Sequence, residues 1–377
     1  MSMPALFWAS IVCIVYTYFG YPLALYLMAL SRRQEVRADP DYLPKVTLIV
    51  TVHNEQDRVE GKIINTLGID YPRDRLEVIF ASDASEDATD AIVQSHGHEG
   101  ITLVRSPGRG GKENAQKLAI DHARGDIIVF SDVATMLEPD GIRKIVAAFA
   151  DPGIGCVSSE DRFVNPDGSL SGEGAYVRYE MFLRSLESRI NSVVGLSGSF
   201  FAARREVCRN WPTNLPSDFN TLLNSVRAGL RGVSDSASVG IYANIRDEQG
   251  EFDRKVRTIT RGISALMANL ELLDPSRYGI FSWQLFSHKL MRWCVPWFLA
   301  VAFCANLALA VKGRRIYRLA FLAQCALYAL GTMDVTKIRG GALKIPYYFL
   351  QVNKAIAVAW LKYFKGERFV TWSPSKR

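Results

Sequence analysis

The chain has 377 residues, 49% of them apolar, a formal net charge of +7 and mean hydropathy near zero, a balance that points to mixed soluble and membrane-embedded parts rather than a purely soluble domain. The excess charge clusters beside apolar segments, where it suits anionic lipid, so nucleic acid is not needed to explain it. Six scattered cysteines without a CxxC pair, and five histidines without metal-ligand spacing, give no support to a disulfide framework or a zinc centre.

In chain order, residues 3–30 are almost uncharged and long enough to span a bilayer. They lack a basic leader and a small-residue cleavage site, so an uncleaved anchor is expected over residues 1–31. Arg32, Arg33 and Arg37 come next, which places the region after them in the cytoplasm by the positive-inside rule. Three apolar runs then end in acidic turns: Val46-Thr47-Leu48-Ile49-Val50 before His53-Asn54-Glu55, Leu76-Glu77-Val78-Ile79-Phe80 before Ser82-Asp83, and Ile127-Ile128-Val129-Phe130 before Ser131-Asp132. Such runs read as buried parallel strands. Segments 59–67, 88–94 and 115–123 have helical patterning, and the β-α-β-α alternation predicts a parallel sheet with right-handed crossovers. Glu55, Asp83 and Asp132 should therefore converge at the carboxyl edge of the sheet, where open α/β folds bind ligands. Neither GxGxxG nor GxxxxGK[ST] is present, so dinucleotide and P-loop chemistry are not indicated.

Further along, residues 173–187 set Tyr176, Tyr179, Phe182 and Leu186 at helical spacing, which reads as a core-facing stripe. Residues 195–199 form a small-residue loop that lets a ligand approach closely. Residues 219–228 predict a helix for which Asp218 could be the N-cap. Residues 279–293 mix aromatic and basic side chains and predict an interfacial helix. Residues 294–311 and 316–333 flank Lys312-Gly313-Arg314-Arg315 and predict a transmembrane hairpin over 294–334. Residues 345–377 predict an interfacial or re-entrant helix and a basic tail.

The blocks His53-Asn54-Glu55, Ser82-Asp83-Ala84-Ser85-Glu86-Asp87, Gly110-Gly111-Lys112, Ser131-Asp132-Val133-Ala134, Ser197-Gly198-Ser199 and Pro216-Ser217-Asp218, in this order, resemble the family 2 inverting glycosyltransferases, in the membrane-anchored branch related to polysaccharide synthases. The resemblance covers roughly residues 45–292. It implies an α/β GT-A fold, nucleotide-sugar-binding and Rossmann-like, over residues 40–275, flanked by N- and C-terminal transmembrane or interfacial helices. It further implies a multi-pass protein of the inner (plasma) membrane whose catalytic domain is cytoplasmic.

On this resemblance, Thr51, Glu55 and Asp83 match positions that hold the uracil and ribose of a UDP-type donor. Lys112 matches the lysine near base and phosphates, and Asp132 the first acid of a DxD motif that binds Mg²⁺ or Mn²⁺. Asp218 matches the catalytic base. An inverting transfer needs one such carboxylate to deprotonate the acceptor hydroxyl. The acceptor expected is polyprenyl-linked or a growing glycan in exopolysaccharide or cell-envelope synthesis. Membrane lipids are the other expected partners.

The chain departs from the pattern in three places. Ala134 stands where the second metal-binding acid is usual, Ser217 where an acid often precedes the base, and no QxxRW is present. Arg254, Lys255, Arg257 and Arg261 occupy that last region; they could bind the diphosphate or a lipid phosphate, or form the polar face of a juxtamembrane helix. The departures leave a second reading open: a catalytically degenerate GT-A protein acting as a binding or scaffold subunit.

Overall fold

The computed structural model describes residues 2–164, 175–243, 248–332, 344–369 and 371; the side chains at 175–177, 243, 248–249 and 344 lie outside that description. The chain divides into two compact units. One is built around a sheet and comprises Met28–Arg246, Ala265–Ser282 and Phe369–Arg377. The other is helical and comprises Met1–Leu27, Asp247–Ser264 and Trp283–Arg368. Residues 247–264, expected in the catalytic domain, cluster with the helical unit.

The sheet unit contains strands β1 (Val46–Val52), β2 (Leu76–Ser82), β3 (Ile101–Arg105), β4 (Ile127–Asp132), β5 (Met136–Leu137), β6 (Ile154–Val164), β7 (Phe200–Arg204) and β8 (Arg231–Ala243). They form one sheet in the order β3-β2-β1-β4-β7-β6-β8-β5. The first four are parallel neighbours, and every residue of β1 is buried, as expected for a central strand covered on both faces. Helices Gln56–Leu67, Thr89–Ser95 and Lys112–His122 supply the connections. The apolar faces of the first two join the sheet in a core that includes Val59, Ile63 and Val93.

β7 pairs antiparallel with β4, Ser131 opposite Phe200. This reversal decides the site, because the loop entering β7 then lies at the same sheet edge as the carboxyl end of β4. β6 is antiparallel to β7 and parallel to β8, so its own carboxyl half returns to that edge. Register shifts along β6 and β8, between Ile154 and Cys156 and between Ser158 and Glu160, bend this half of the sheet. Behind the edge, Phe130 stacks on Phe201 at 4.7 Å and on Trp211 at 4.9 Å.

Helix Ala175–Ile190 buries Leu183, Leu186 and Ile190, whereas Phe182 is 48% exposed. The expected stripe is thus corrected at Phe182, which faces outward, while Leu183, Leu186 and Ile190 supply the apolar part of the buried face. Tyr176 belongs to the side chains outside the description.

In the helical unit, Met3–Ser31 and Ile280–Val311 are long and apolar enough to cross a membrane by length and composition. Each contains a π-helical turn, Tyr16–Gly20 and Phe286–Leu290. The two turns meet through polar atoms: Tyr16 Oη lies 2.7 Å from Ser287 Oγ and accepts from Trp283 Nε1 at 2.9 Å. Phe7, Ala302, Ala305, Leu309 and Tyr317 form a separate small core. The expected interfacial segment 279–293 runs without a break into the first arm of the expected hairpin, since Ile280–Val311 is one helix. Helices Arg315–Thr332 and Lys344–Phe364 come after it in the chain. The end of the expected hairpin and part of the expected basic tail (362–377), residues 370 and 372–377, fall outside the described residues.

Candidate active site

The carboxyl ends of β1, β2 and β4 each turn sharply. Asn54 and Ala84, one residue beyond His53 and Asp83, both adopt left-handed backbone (φ 52° and 53°), a conformation that costs a non-glycine residue about 1–2 kcal/mol. Asn54 offsets this by accepting from Glu86 N at 2.8 Å, and His53 Nδ1 bonds Asp83 O at 2.8 Å. The strain sits where the sheet edge is shaped for a ligand.

Asp83 is fully buried, and its carboxylate accepts the N–H groups of Gly110 (2.8 Å) and Gly111 (3.0 and 2.9 Å). Gly111 has φ 93°, which a side chain would resist. With no exposed atom, Asp83 offers a ligand the shape of the Gly110–Gly111 turn rather than a free carboxylate. That turn starts helix Lys112–His122 and aims Lys112 into the site.

Lys112 Nζ donates to Asp132 Oδ1 at 2.5 Å and to Gly198 O at 2.8 Å. Asp132 N in turn donates to Ser199 O at 3.0 Å. A Cβ built on Gly198 would lie 3.4 Å from Asp218 Oδ2. The Ser197-Gly198-Ser199 loop therefore joins Lys112, Asp132 and Asp218, three of the expected site residues. Asp218 is half-buried in the first turn of helix Ser217–Arg227, whose N-cap is Pro216. The capping alternative for Asp218 is removed.

Thr51 lies opposite Asp132 across β1 and β4, buried, with an Oγ1 that has no partner among the described residues. Glu55, also buried, pairs with Arg58 at 2.7 Å; burial raises its pKa, and the Arg58 charge opposes that shift.

Two further groups gave no motif. Glu113 is buried beside Lys112, and its Oε1 accepts from Ser217 N at 3.3 Å. Where the family pattern has an acid before the base, a carboxylate from another helix here reaches the amide of Ser217. Asp161, on the returning half of β6, accepts from Ser197 Oγ at 2.6 Å and Tyr242 Oη at 3.0 Å, and Tyr242 also bonds Ser199. Burial raises the Asp161 pKa against the pull of Ser197, Arg184 and Tyr242. One of two adjacent acids, Glu160 and Asp161, in a strand of mixed polarity carries no sequence signal of such a role.

Among the described residues no cluster of three or more His, Cys, Asp or Glu could by itself enclose a metal. Asp132 supplies one hard carboxylate, and Ala134 supplies nothing. One carboxylate fits Mg²⁺ or Mn²⁺ held jointly with substrate phosphates, the usual arrangement for the former.

In the helical unit, Arg254, Arg257 and Arg261 recur at helical spacing on Glu248–Met267 and form a half-buried stripe. Burial, then the charges of Arg261 and Arg254, lower the pKa of Arg257. Lys255 points elsewhere and pairs with Glu251 at 2.8 Å.

The fold is a mixed α/β sheet of GT-A-like type, with acids and a lysine gathered at its carboxyl edge and a carboxylate at a helix start beside them. Comparison with known proteins agrees: residues 47–211 match the family model described as Glycosyl transferase family 2. A beta-monoglucosyldiacylglycerol synthase from Synechocystis is 29% identical over 170 residues, 43% of this chain and 35% of that protein. A poly-beta-1,6-N-acetyl-D-glucosamine synthase from Staphylococcus aureus is 23% identical over 219 residues, 56% of this chain and 51% of that protein. The chain thus spans about a third to a half of the length of these relatives. Among solved structures, the mannosyltransferase PcManGT from Pyrobaculum calidifontis, in complex with GDP-Man and Mn²⁺, is similar with a TM-score of 0.76 and 25% identity, over 96% of this chain and 99% of that one.

Proposed function

We propose that the chain is a membrane-anchored inverting glycosyltransferase that moves a sugar from a nucleoside-diphosphate donor to a lipid-linked or growing glycan in exopolysaccharide or cell-envelope synthesis. The observation that carries this reading is the Gly198 junction, which sets the Lys112–Asp132 pair against Asp218. Asp218 takes the proton of an acceptor hydroxyl while the acceptor oxygen bonds the anomeric carbon and the bond to the diphosphate breaks. Lys112 offsets charge on the departing diphosphate. A divalent cation, when bound, would rest on Asp132 and supply further charge neutralisation to the diphosphate. Thr51, Glu55 and the turn organised by Asp83 line the nucleotide side.

Motif resemblance favours a UDP-linked donor. A GDP-linked donor is the second reading, favoured by the likeness of nearly the whole chain to a mannosyltransferase solved with GDP-Man. Membrane anchoring is supported by the lipid-length helices and by their outward apolar side chains, among them Trp8, Val12, Phe19, Leu27, Trp297 and Val311. The proposed topology keeps the sheet unit in the cytoplasm. Within the helical unit, the Arg254, Arg257 and Arg261 stripe suits an acceptor lipid phosphate.

The test is a thermal-shift screen of the detergent-solubilised chain against UDP- and GDP-sugars with and without Mn²⁺, and then transfer assays with the stabilising donors. Ligand at 100 times its Kd adds about 2.7 kcal/mol of stability, a readily measured shift. Donor binding without transfer to any lipid or glycan acceptor would favour the scaffold reading. No binding at all sinks both.

A further inference from the structure

Lys62 projects from helix Gln56–Leu67 into the interior and has no exposed surface. Its Nζ donates to Ser131 Oγ at 2.9 Å and to Thr135 O at 2.5 Å. These two residues bracket the turn Asp132-Val133-Ala134, which is itself closed by Thr135 N donating to Asp132 O at 3.0 Å. No carboxylate lies within ion-pair distance of Lys62 among the described residues. Burial accordingly lowers its pKa to about 7, and the charge of Asp132 opposes that shift.

A fully buried lysine is rare unless paired, because desolvating an ammonium is costly. Packing alone does not call for it, since a methionine of similar length would fill the same space without that cost. What Lys62 supplies is a pair of hydrogen bonds across one short turn, behind a carboxylate that already pairs with the Lys112 ammonium. The turn also lacks the second acid, at Ala134, that could be tethered from the ligand side.

We propose that Lys62 is a positioning residue: by tying Ser131 to Thr135 from inside the protein, it holds the turn that presents Asp132 to the donor diphosphate. The inference rests on the reading of Asp132 as a donor-site residue, and its test separates the two.

The experiment is a double-mutant cycle on the full chain in detergent, with Mn²⁺ plus UDP and, separately, Mn²⁺ plus GDP as calorimetric probes. The proteins are wild type, Lys62→Met, Asp132→Asn and the double variant. Loss of a residue that orients a ligand typically weakens binding about 10- to 100-fold, which is the change expected for Lys62→Met. Because Lys62 acts through Asp132, the double variant should bind no more weakly than Asp132→Asn alone. A purely structural lysine would instead give additive losses, and that result overturns the proposal. So does wild-type affinity in Lys62→Met. Should Lys62→Met fail to melt cooperatively, Lys62→Gln, which keeps a hydrogen-bond donor, replaces it in the cycle. Misfolding of both variants assigns the lysine to structure and ends the proposal. Failure of the wild type to bind either nucleotide overturns the donor-site reading itself.

Discussion

Asp218 and Glu113 divide one task between two helices. Asp218 stands at the Gly198 junction, while Glu113 accepts the amide of Ser217 and so fixes the start of the helix that carries it. Glu113→Ala would leave that buried N–H without its partner, at a cost of about 1–3 kcal/mol. Denaturant titration should show this loss, and transfer should fall because the base is no longer held. Asp161 supplies a pH-dependent prediction. Its pKa is raised on folding, so the folded state holds the proton more tightly than the unfolded chain. The carboxylate then destabilises the fold progressively as pH rises above its ordinary value of 3.8. Asp161→Asn keeps an acceptor for Ser197 and Tyr242, and its melting temperature relative to wild type should rise from about pH 4 to about pH 7. A constant difference across that range would contradict the assignment. Glu113 and Lys62 were illegible in the sequence for a shared reason: each is a polar residue in an amphipathic helix, and only tertiary packing shows that it faces inward.

At the scale of elements, the strands that could be read were those with continuous apolar composition. β1, β2 and β4 are central and buried on both faces, so their sequences reveal them and their terminal acids. β6 and β8 mix Ser, Asp, Arg and Glu with apolar residues and carry register shifts, which erases the alternation that would mark them. The antiparallel entry of β7 was equally hidden, yet it brings the Ser197-Gly198-Ser199 loop beside Asp132. Resemblance supplied Asp218, whose place at that loop only the fold explains. Gly198 gives the element-scale test. A Cβ there makes ordinary contact with Asp218, so Gly198→Ala should fold with an unchanged melting temperature. The added methyl occupies space beside the base, and the KM for the acceptor should rise while donor affinity stays constant. An unaltered acceptor KM would place the acceptor elsewhere.

At the scale of the whole molecule, composition suggested soluble and membrane-embedded parts, and the chain divides into a sheet unit and a helical unit whose bounds differ from those expected. Composition did not foretell that Ile280–Val311 is uninterrupted, because the polar residues Gln284, His288, Lys289 and Arg292 suggest a surface segment. In the helix, Gln284, Ser287, His288 and Arg292 are buried, so they contribute to packing within the chain rather than to an exposed face. The outward apolar residues of this helix and of Met3–Ser31 predict that the chain sediments with membranes after alkaline carbonate washing and is released by detergent. Release by carbonate or salt alone would contradict the proposed anchoring.

The central claim concerns the junction of Lys112, Asp132 and Asp218 as a transfer site, and Asp218→Asn probes it most directly. Donor binding and sugar transfer should be measured together on the purified full chain, using a nucleotide sugar that stabilises the wild type. Removal of a general base typically lowers the rate about 10²- to 10⁴-fold, so the variant should bind donor with wild-type affinity and lose transfer on that scale. Wild-type transfer by Asp218→Asn would contradict the account.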